Sequence, residues 1–307
     1  MSQPVALTIA GSDPSGGAGL QADLKTFHQH QVYGMSAVTL LTVQNTQTVT
    51  AVEMVEPDLV KQQIRACVSD IPPQAAKTGA LGTPQMISCV ADEATRFDFP
   101  LVIDPVMISK HDIPLLQEQA IDTLVQRLLP LCFLVTPNIP EAEKLSKIKI
   151  DSRDSLIRAA QAICRLGARH VLIKGGHRYQ PSSAKLDDRR SSEAQGERSE
   201  ADHAGTTDNR YATDVLWIDN QAIEFSEPRI ETKHTHGTGC VYSAAITAHL
   251  ARGTSLIAAV GHAKRFITGA ITTNPGLGQG LGPVNTLNKA SIGDNVGHHS
   301  SSSIREG

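Results

Sequence analysis

The residues best suited to chemistry lie near the carboxyl end of the chain, in the segment 234–240, which reads HTHGTGC. Its two glycines let a backbone approach a ligand closely, and the small and apolar residues that follow predict a helix starting at about residue 238. The free N–H groups at a helix start favour anions, especially negative charge that develops during a reaction. The turn therefore indicates an anion site, although a Gly-rich helix start can also merely pack well.

Three polar residues stand at the ends of short apolar runs that predict β-strands: Asp104, Asn138 and Lys174. In open α/β sheets, ligands bind beyond the carboxyl ends of the strands. The repetition therefore indicates that the three side chains share one site with the turn at 237–240. For any single residue, a role in forming a turn or capping a helix is the alternative.

A second glycine-rich loop, residues 11–19, lies between a predicted strand at 5–10 and a predicted helix at about 20–31. The loop lacks the G-x-G-x-x-G spacing of dinucleotide-binding loops, and no Walker A pattern occurs in the chain. The absence of both motifs argues against a hydride-transfer enzyme and against a P-loop phosphate site. Asp23 lies one turn into the helix, where it either faces the mouth of the site or complements the helix dipole.

The elements that must position these residues alternate between β-rich runs and helical stretches, which predicts an α/β fold with a mostly parallel sheet and helices on both faces. We expect one domain over residues 1–287. Residues 178–210 are rich in Ser, Asp, Glu and Arg, which predicts a mobile insertion. Residues 214–218 and 222–225 predict a hairpin, and the Ser- and His-rich segment 288–307 predicts a disordered tail.

The composition of the 307 residues is that of an ordinary globular protein, with 40% hydrophobic and 19% charged residues. The net charge of −3, the absence of a basic run and the low aromatic content of 4% argue against nucleic-acid binding. Five widely spaced cysteines without a CxxC motif favour a reducing compartment. With no signal peptide or apolar membrane span in the sequence, we expect a cytoplasmic protein and no membrane partner.

The motifs also carry a specific resemblance that runs in order along about residues 5–286. The stretches concerned are LTIAGSDPSGGAG (7–19), QADLKT (21–26), VQNT (43–46), DPVM (104–107), TPNIPE (136–141), KGGH (174–177), THGTGC (235–240) and GLGPV (280–284). In them the chain resembles the hydroxymethylpyrimidine/phosphomethylpyrimidine kinases of thiamine biosynthesis, in the ribokinase-like superfamily. The resemblance implies a three-layer α/β/α sandwich, the cofactors ATP and Mg²⁺, a pyrimidine substrate and a homodimer.

On the acceptor side, the resemblance implies four substrate-binding residues. Asp23 and Gln44 hold the aminopyrimidine, because a carboxylate and an amide can pair with its amine and ring nitrogen. Ala18 and Met107 offer apolar walls to the ring. The reaction implied is phosphorylation of 4-amino-5-hydroxymethyl-2-methylpyrimidine and then of its monophosphate to the pyrophosphate.

On the ATP side, the resemblance assigns Asp104, Asn138, Glu141 and Lys174 to the nucleotide and its metal. Asn138 and Glu141 form the Asn-x-x-Glu motif that organises Mg²⁺ and its waters, and the Glu141 contact is expected to pass through water. Lys174 neutralises the transferring phosphoryl group. The anion hole comprises Gly237, Thr238, Gly239 and Cys240. Such a set supplies positioning and charge stabilisation, the main requirements of phosphoryl transfer.

Cys240 replaces the Asp that sugar kinases of the superfamily use as general base. A thiol pKa falls at a helix N-terminus, so a Cys240 thiolate is expected to accept the proton of the hydroxymethyl group. In the second reaction the nucleophile is already an anionic phosphate oxygen and needs no base. The hypothesis is therefore that Cys240→Ala lowers the rate of the first phosphorylation more than the rate of the second. A small residue packed at a helix start is the alternative.

Two departures from the family pattern leave other functions open. Residues 110–113 read KHDI where the family usually reads KSGD, and Ala80 stands where a bulkier residue such as Met is frequent. A roomier pocket favours a larger ring, so a pyridoxal or pyridoxine kinase is the nearest rival. A catalytically silent, pyrimidine-binding regulatory protein is a further alternative. The presence of Asn138, Glu141, Lys174 and Cys240 argues against it.

Overall fold

The computed structural model describes residues 3–108, 113–175 and 210–289. Within them, nine strands form a single sheet. The strands are β1 (Val5–Ser12), β2 (Tyr33–Gln44), β3 (Val49–Met54), β4 (Ala75–Thr78), β5 (Leu101–Ile103), β6 (Leu134–Val135), β7 (His170–Ile173), β8 (Tyr211–Ile218) and β9 (Gln221–Pro228). The helices are α1 (Gly19–Gln29), α2 (Pro57–Asp70), α3 (Pro84–Ala94), α4 (Glu118–Thr123), α5 (Ile139–Ser146), α6 (Arg153–Arg165), α7 (Thr238–Ala251) and α8 (Leu256–Thr272). A π-helical turn (Leu124–Leu128) and a 3₁₀ turn (Leu129–Leu131) follow α4.

The sheet runs in the order β3-β2-β1-β4-β5-β6-β7-β8-β9. Its six inner strands, from β2 to β7, are parallel, whereas β3, β8 and β9 pair antiparallel at the two edges. Ile103 pairs with Val135, which in turn pairs with Val171 of β7. The carboxyl ends of β5, β6 and β7 therefore lie side by side, as a shared site requires.

Helices cover both faces of the sheet and confirm the predicted three-layer α/β/α architecture. Leu7 and Ile9 of β1 point into one core, which is shared with α2, α3, α5 and α6. Val102 and Leu134 point into the other core, which is shared with α7 and α8. The alternation along each strand follows from the two-residue repeat of side-chain direction in an extended chain.

Helix α7 is buried on all sides because it lies between the sheet and two other helices. It contacts α1 and α8 as well as β1, β4 and β5. Every residue from 241 to 249 is buried, whereas the first turn, residues 238–240, is half-buried. A helix without a solvent-exposed face is typical of the interior of a protein, so the body of α7 anchors its first turn to the core.

Several predicted boundaries can be compared with the structure. The helix after the glycine turn starts at Thr238, as predicted, and the hairpin extends over 211–228. Its turn consists of Asp219 and Asn220, both with positive φ, rather than the three residues expected. Asn288, where the tail was predicted to begin, still accepts a hydrogen bond from Gln29. Most of the predicted insertion and tail, and residues 109–112, lie outside the described residues.

In the described part of the chain, none of the helices combines the length and the apolar character needed to cross a membrane.

Candidate active site

A cavity of about 620 Å³ opens at the carboxyl ends of the parallel strands. The sequence-predicted site residues all line it, although they come from seven separate segments of the chain. They are Ala18, Asp23, Gln44, Asp104, Met107, Asn138, Glu141, Lys174, Gly237, Thr238, Gly239 and Cys240. The expectation that one site unites the strand-end residues with the glycine turn therefore agrees with the geometry.

An ion pair joins the ends of β5 and β7 inside this cavity. Lys174 Nζ lies 2.8 Å from Asp104 Oδ1, and the hydroxyl of Ser243 donates to Asp104 Oδ2 at 3.2 Å. Burial raises the pKa of Asp104, but the charges of Lys174 and Lys77 outweigh burial and hold that pKa below its usual range. A Cβ placed at Gly239 would lie 3.3 Å from Lys174 Nζ. The ammonium group therefore sits beside the first turn of α7.

Asn138 and Glu141 form a capping box at the start of α5. The Asn138 side chain accepts from the Glu141 N–H at 2.9 Å, and the Glu141 carboxylate accepts from the Asn138 N–H at 2.8 Å. The Asn-x-x-Glu spacing therefore has a local structural use as well as a place in the cavity. Burial, opposed by Lys174 and assisted by Asp104, raises the pKa of Glu141 to about 7.

The donor set fits a magnesium ion that keeps most of its water. In the described residues, no cluster of three or more His, Cys, Asp or Glu side chains is arranged to hold a metal. Glu141 and Asp104 nevertheless present carboxylates to the same cavity. Mg²⁺ usually binds through one or two carboxylates, several waters and the phosphates of a substrate, which matches this arrangement.

The turn before α7 depends on a close approach of two backbones. Gly237 has a φ of 77°, and a Cβ at this position would collide with the carbonyl oxygen of Gly17. The Thr238 hydroxyl donates to the Thr235 carbonyl at 2.7 Å and closes the turn. Residues 237–240 line the cavity, and the N–H groups at a helix start favour an anion.

Cys240 lies in this first turn, but the expected fall of its pKa is wrong. Burial raises the pKa of the Cys240 thiol to about 12, and the charges of Asp23 and Asp104 add to the rise. Lys77 acts in the opposite direction without offsetting it. The helix start therefore does not give a thiolate here, because the loss of hydration disfavours the charged form more strongly.

Asp23 belongs to a closed network on the acceptor side of the cavity. Its Oδ1 pairs with Lys77 Nζ at 2.7 Å, and its Oδ2 accepts from the Thr8 hydroxyl at 2.6 Å. The side chains of Asp23 and Lys77 have no exposed surface. Asp23 therefore neutralises a buried lysine, rather than only complementing the dipole of α1, while it still borders the cavity.

The remaining predicted acceptor residues surround this network. The Ala18 N–H donates to Asp13 at 2.8 Å, which fixes the loop before α1. Met107 is buried and forms an apolar wall. Gln44 ends β2 and also hydrogen-bonds Asp13. Ala80 lines the cavity, and its carbonyl accepts from Thr39.

Comparison with known proteins identifies the family of the chain. The family model described as phosphomethylpyrimidine kinase matches residues 13–285. The chain belongs to the phosphomethylpyrimidine kinase family. It is 44% identical over 280 residues to a hydroxymethylpyrimidine/phosphomethylpyrimidine kinase of Haemophilus influenzae, over 91% of this chain and 95% of that protein.

Solved structures of two kinds resemble this member of the phosphomethylpyrimidine kinase family. Phosphomethylpyrimidine kinase from Clostridium difficile is 39% identical, with a TM-score of 0.68 over 87% of this chain and 99% of that chain. A pyridoxal kinase from Staphylococcus aureus, in complex with AMP-PCP and pyridoxal, is 31% identical, with a TM-score of 0.77 over 94% and 95% of the two chains. The predicted family and fold are thus confirmed.

Sequence reasoning missed several charged residues that line the cavity of this kinase. Lys77 lies in the four-residue strand β4, all of which is buried. The only sequence feature that could have indicated it is a single charged residue in a predicted strand. Asp13 and His236 were not singled out, although they lie in the two glycine-rich motifs. Lys264 pairs with Asp214 at 2.7 Å, and nothing local in the sequence indicated that pair.

Proposed function

We propose that this chain transfers the γ-phosphate of ATP to 4-amino-5-hydroxymethyl-2-methylpyrimidine and then to the resulting monophosphate. One observation carries the proposal: a single cavity unites the Lys174–Asp104 pair, the anion-binding turn before α7 and the buried Asp23 carboxylate. Membership of the phosphomethylpyrimidine kinase family supports the choice of substrate.

Charge stabilisation during transfer falls to Lys174 and the first turn of α7. The Lys174 ammonium group lies beside Gly239 and is held there by Asp104. The Thr238 N–H donates to the Thr235 carbonyl, so the ammonium group and the N–H groups of Gly239 and Cys240 are the donors placed where negative charge accumulates on the transferred group. Fixed donors of this kind need no reorganisation when the charge develops, and phosphoryl transfer depends mainly on such positioning.

Mg²⁺ belongs to the proposal, because kinases of this type use the ion to neutralise the phosphates of ATP. Glu141 and Asn138 would hold its water shell from the start of α5, and Asp104 lies on the same side of the cavity. The Glu141 carboxyl, with its pKa raised to about 7, then has to be deprotonated when the ion is present. Low pH therefore weakens the site.

The acceptor proton does not go to a preformed Cys240 thiolate. With a pKa of about 12, the thiol is neutral at physiological pH. In the first reaction the hydroxymethyl oxygen therefore attacks the γ-phosphorus while it is still protonated. The bond between that phosphorus and ADP breaks, and the proton passes to an oxygen of the transferred phosphoryl group as the new P–O bond forms. In the second reaction the acceptor oxygen carries negative charge from the start. The neutral thiol packs beside the acceptor in both reactions.

Pyridoxal phosphorylation is the second candidate function. Ala80 narrows the cavity less than a larger side chain would, and the resembling Staphylococcus aureus enzyme is a pyridoxal kinase. Single-turnover and steady-state rates with the pyrimidine, its monophosphate and pyridoxal separate the two candidates. We expect both pyrimidines to be phosphorylated. Turnover of pyridoxal alone would overturn the proposal, and pyrimidine binding without ATP turnover would favour a regulatory protein.

A homodimer and a cytoplasmic location complete the proposal. All five cysteines are free thiols, which suits a reducing compartment. The homodimer is proposed because kinases of this family are commonly dimeric. Sedimentation equilibrium of the purified chain tests the dimer: we expect twice the chain mass of 32.8 kDa. A mass equal to one chain over a wide concentration range would contradict it.

A further inference from the structure

Two loops that are 223 residues apart in sequence meet at a buried contact beside the cavity. His236 Nε2 lies 2.8 Å from Asp13 Oδ2. Asp13 is 2% exposed and His236 is 4% exposed, so the contact is shielded from water. Asp13 belongs to the loop before α1, and His236 directly precedes the turn of the anion hole. Neither residue is among those that bind ATP, Mg²⁺ or the acceptor, or that form the anion hole, in the proposed transfer.

Asp13 organises the loop on the acceptor side. Its Oδ1 accepts from the backbone and the hydroxyl of Ser15 at 2.8 and 2.7 Å, and its Oδ2 accepts from Ala18 N–H at 2.8 Å. Burial raises the pKa of Asp13, but hydrogen bonds from His236, Ser15 and Gln44 outweigh it and hold that pKa below its usual range. The carboxylate thus anchors both Ala18 and Gln44.

His236 fixes the other side of the contact. Its backbone N–H donates to the Gly282 carbonyl at 3.1 Å, and its carbonyl accepts from Val284 N–H at 3.3 Å. The ring packs so tightly that a Cβ at Gly17 would lie 2.6 Å from His236 Cδ2. Because Gly237 follows directly, any displacement of His236 moves the anion hole.

We propose that Asp13 and His236 are a positioning pair that sets the separation between the acceptor pocket and the anion hole. The inference rests on the proposed function, because it assigns each loop to one reactant. The pair holds the two loops in register without touching the reacting atoms. In-line transfer is sensitive to this separation, since a displacement of about 1 Å can cost about 100-fold in rate.

The test compares kcat, both KM values and the melting temperature of His236→Ala, Asp13→Asn and His236→Gln with those of the wild-type chain. We expect kcat to fall about 30- to 100-fold in His236→Ala and in Asp13→Asn. The KM for ATP should change less than about threefold, because the residues assigned to the nucleotide on β5, β7 and α5 keep their positions and only the anion hole shifts. In His236→Gln the amide can donate to Asp13 in place of Nε2, so kcat should return to within about fivefold of the wild-type value.

A matched control is His170→Ala. His170 is buried to a similar degree, lies at the start of β7 and does not line the cavity. We expect this variant to lose stability and to keep its kcat. A double variant, Asp13→Asn with His236→Ala, should lose no more kcat than either single variant, because residues that act as a unit are not additive.

Three outcomes would overturn the inference: a folded His236→Ala with more than a third of the wild-type kcat, no rescue by Gln, or additive losses in the double variant. Should His236→Ala fail to fold, Asp13→Asn provides the same measurement. The proposed function fails separately, if the wild-type chain does not phosphorylate the pyrimidine. In that case the ratio of variant to wild-type kcat is measured on pyridoxal instead.

Discussion

Two lysine–aspartate pairs border the same cavity. Their ammonium nitrogen to carboxylate oxygen distances are almost equal, yet the pairs differ in their access to solvent. Lys77 and Asp23, 2.7 Å apart, are completely buried, and both oxygens of Asp23 are occupied. Lys174 and Asp104 are 2.8 Å apart, and the Lys174 side chain keeps 13% of its surface exposed. The closed pair therefore maintains the shape of the acceptor side, whereas the open pair still has an ammonium group available to a phosphate.

Removing the lysine of the closed pair should destabilise the fold. Lys77→Met leaves the Asp23 charge buried without a partner, which typically costs about 3–5 kcal/mol. We expect the melting temperature to fall by about 10 °C, as measured by calorimetry without ligands. The double variant Lys77→Met with Asp23→Asn removes both charges and should regain much of the loss. If Lys77→Met were as stable as the wild-type chain, the closed pair would not have a structural role on the acceptor side.

Removing the lysine of the open pair should instead affect the reaction. Lys174→Met takes away a cation that faces developing charge, and we expect kcat to fall about 100- to 1000-fold. The free energy of unfolding should fall less than in Lys77→Met, because Asp104 keeps the Ser243 hydroxyl and access to the cavity. Stopped-flow or steady-state rates measure the first effect and chemical denaturation the second. Lys149→Met, which alters a surface ion pair, is the control that should change neither.

On the side of the cavity that holds the open pair, Mg²⁺ binding should depend on pH. With a pKa raised to about 7, Glu141 gains its negative charge as the pH rises through neutrality. The Mg²⁺ concentration needed for half-maximal activity should therefore fall about tenfold between pH 6 and pH 8. Asp104, whose pKa is lowered, stays ionised throughout that range and adds no titration.

Glu141→Gln should remove this pH dependence and require more Mg²⁺ at pH 8 than the wild-type chain does. Glu143→Gln on the same helix lies outside the cavity lining and serves as the matched control. If the wild-type Mg²⁺ requirement were flat between pH 6 and pH 8, the raised pKa of Glu141 would have no role in metal binding.

The smallest expected effect concerns Cys240, which lies between the two pairs. Because its thiol is neutral, Cys240→Ala should slow both phosphorylations to a similar degree, within about threefold of each other. Single-turnover rates with the pyrimidine and with its monophosphate measure this ratio, with Cys164→Ala as a control outside the cavity. A first step slowed ten times more than the second would restore the hypothesis of a catalytic base.

The comparison also shows which parts of the site were accessible from sequence. Asp104 and Lys174 were predictable because each ends an apolar run, and the carboxyl ends of parallel strands meet at one edge of the sheet. Lys77 was not predicted, because the sequence of a four-residue strand does not show whether the ammonium group of its lysine is exposed to solvent. Its burial is decided by the packing of α7 over β4 and by the ion pair with Asp23 of α1.

Two further features depend on contacts that no local pattern encodes. The pairing of Asp13 with His236 joins residues 223 positions apart, although each glycine-rich motif was visible on its own. For Cys240, the sequence correctly placed the thiol at a helix start but gave the wrong direction for its pKa. Hydration depends on how the surrounding layers close over the thiol, and this burial outweighs the helix dipole.

The all-round burial of α7 has a consequence for how the molecule opens. Amides in the interior of a fold exchange with solvent only in the largest unfolding events, whereas edge elements open locally. Among the strands of the described residues, the outermost two, β3 and β9, each lack a neighbour on one side, so they are the first candidates for fraying. The end of the cavity that we propose to bind phosphate thus begins on one of the last helices to lose protection, and it can outlast the partial opening of either sheet edge.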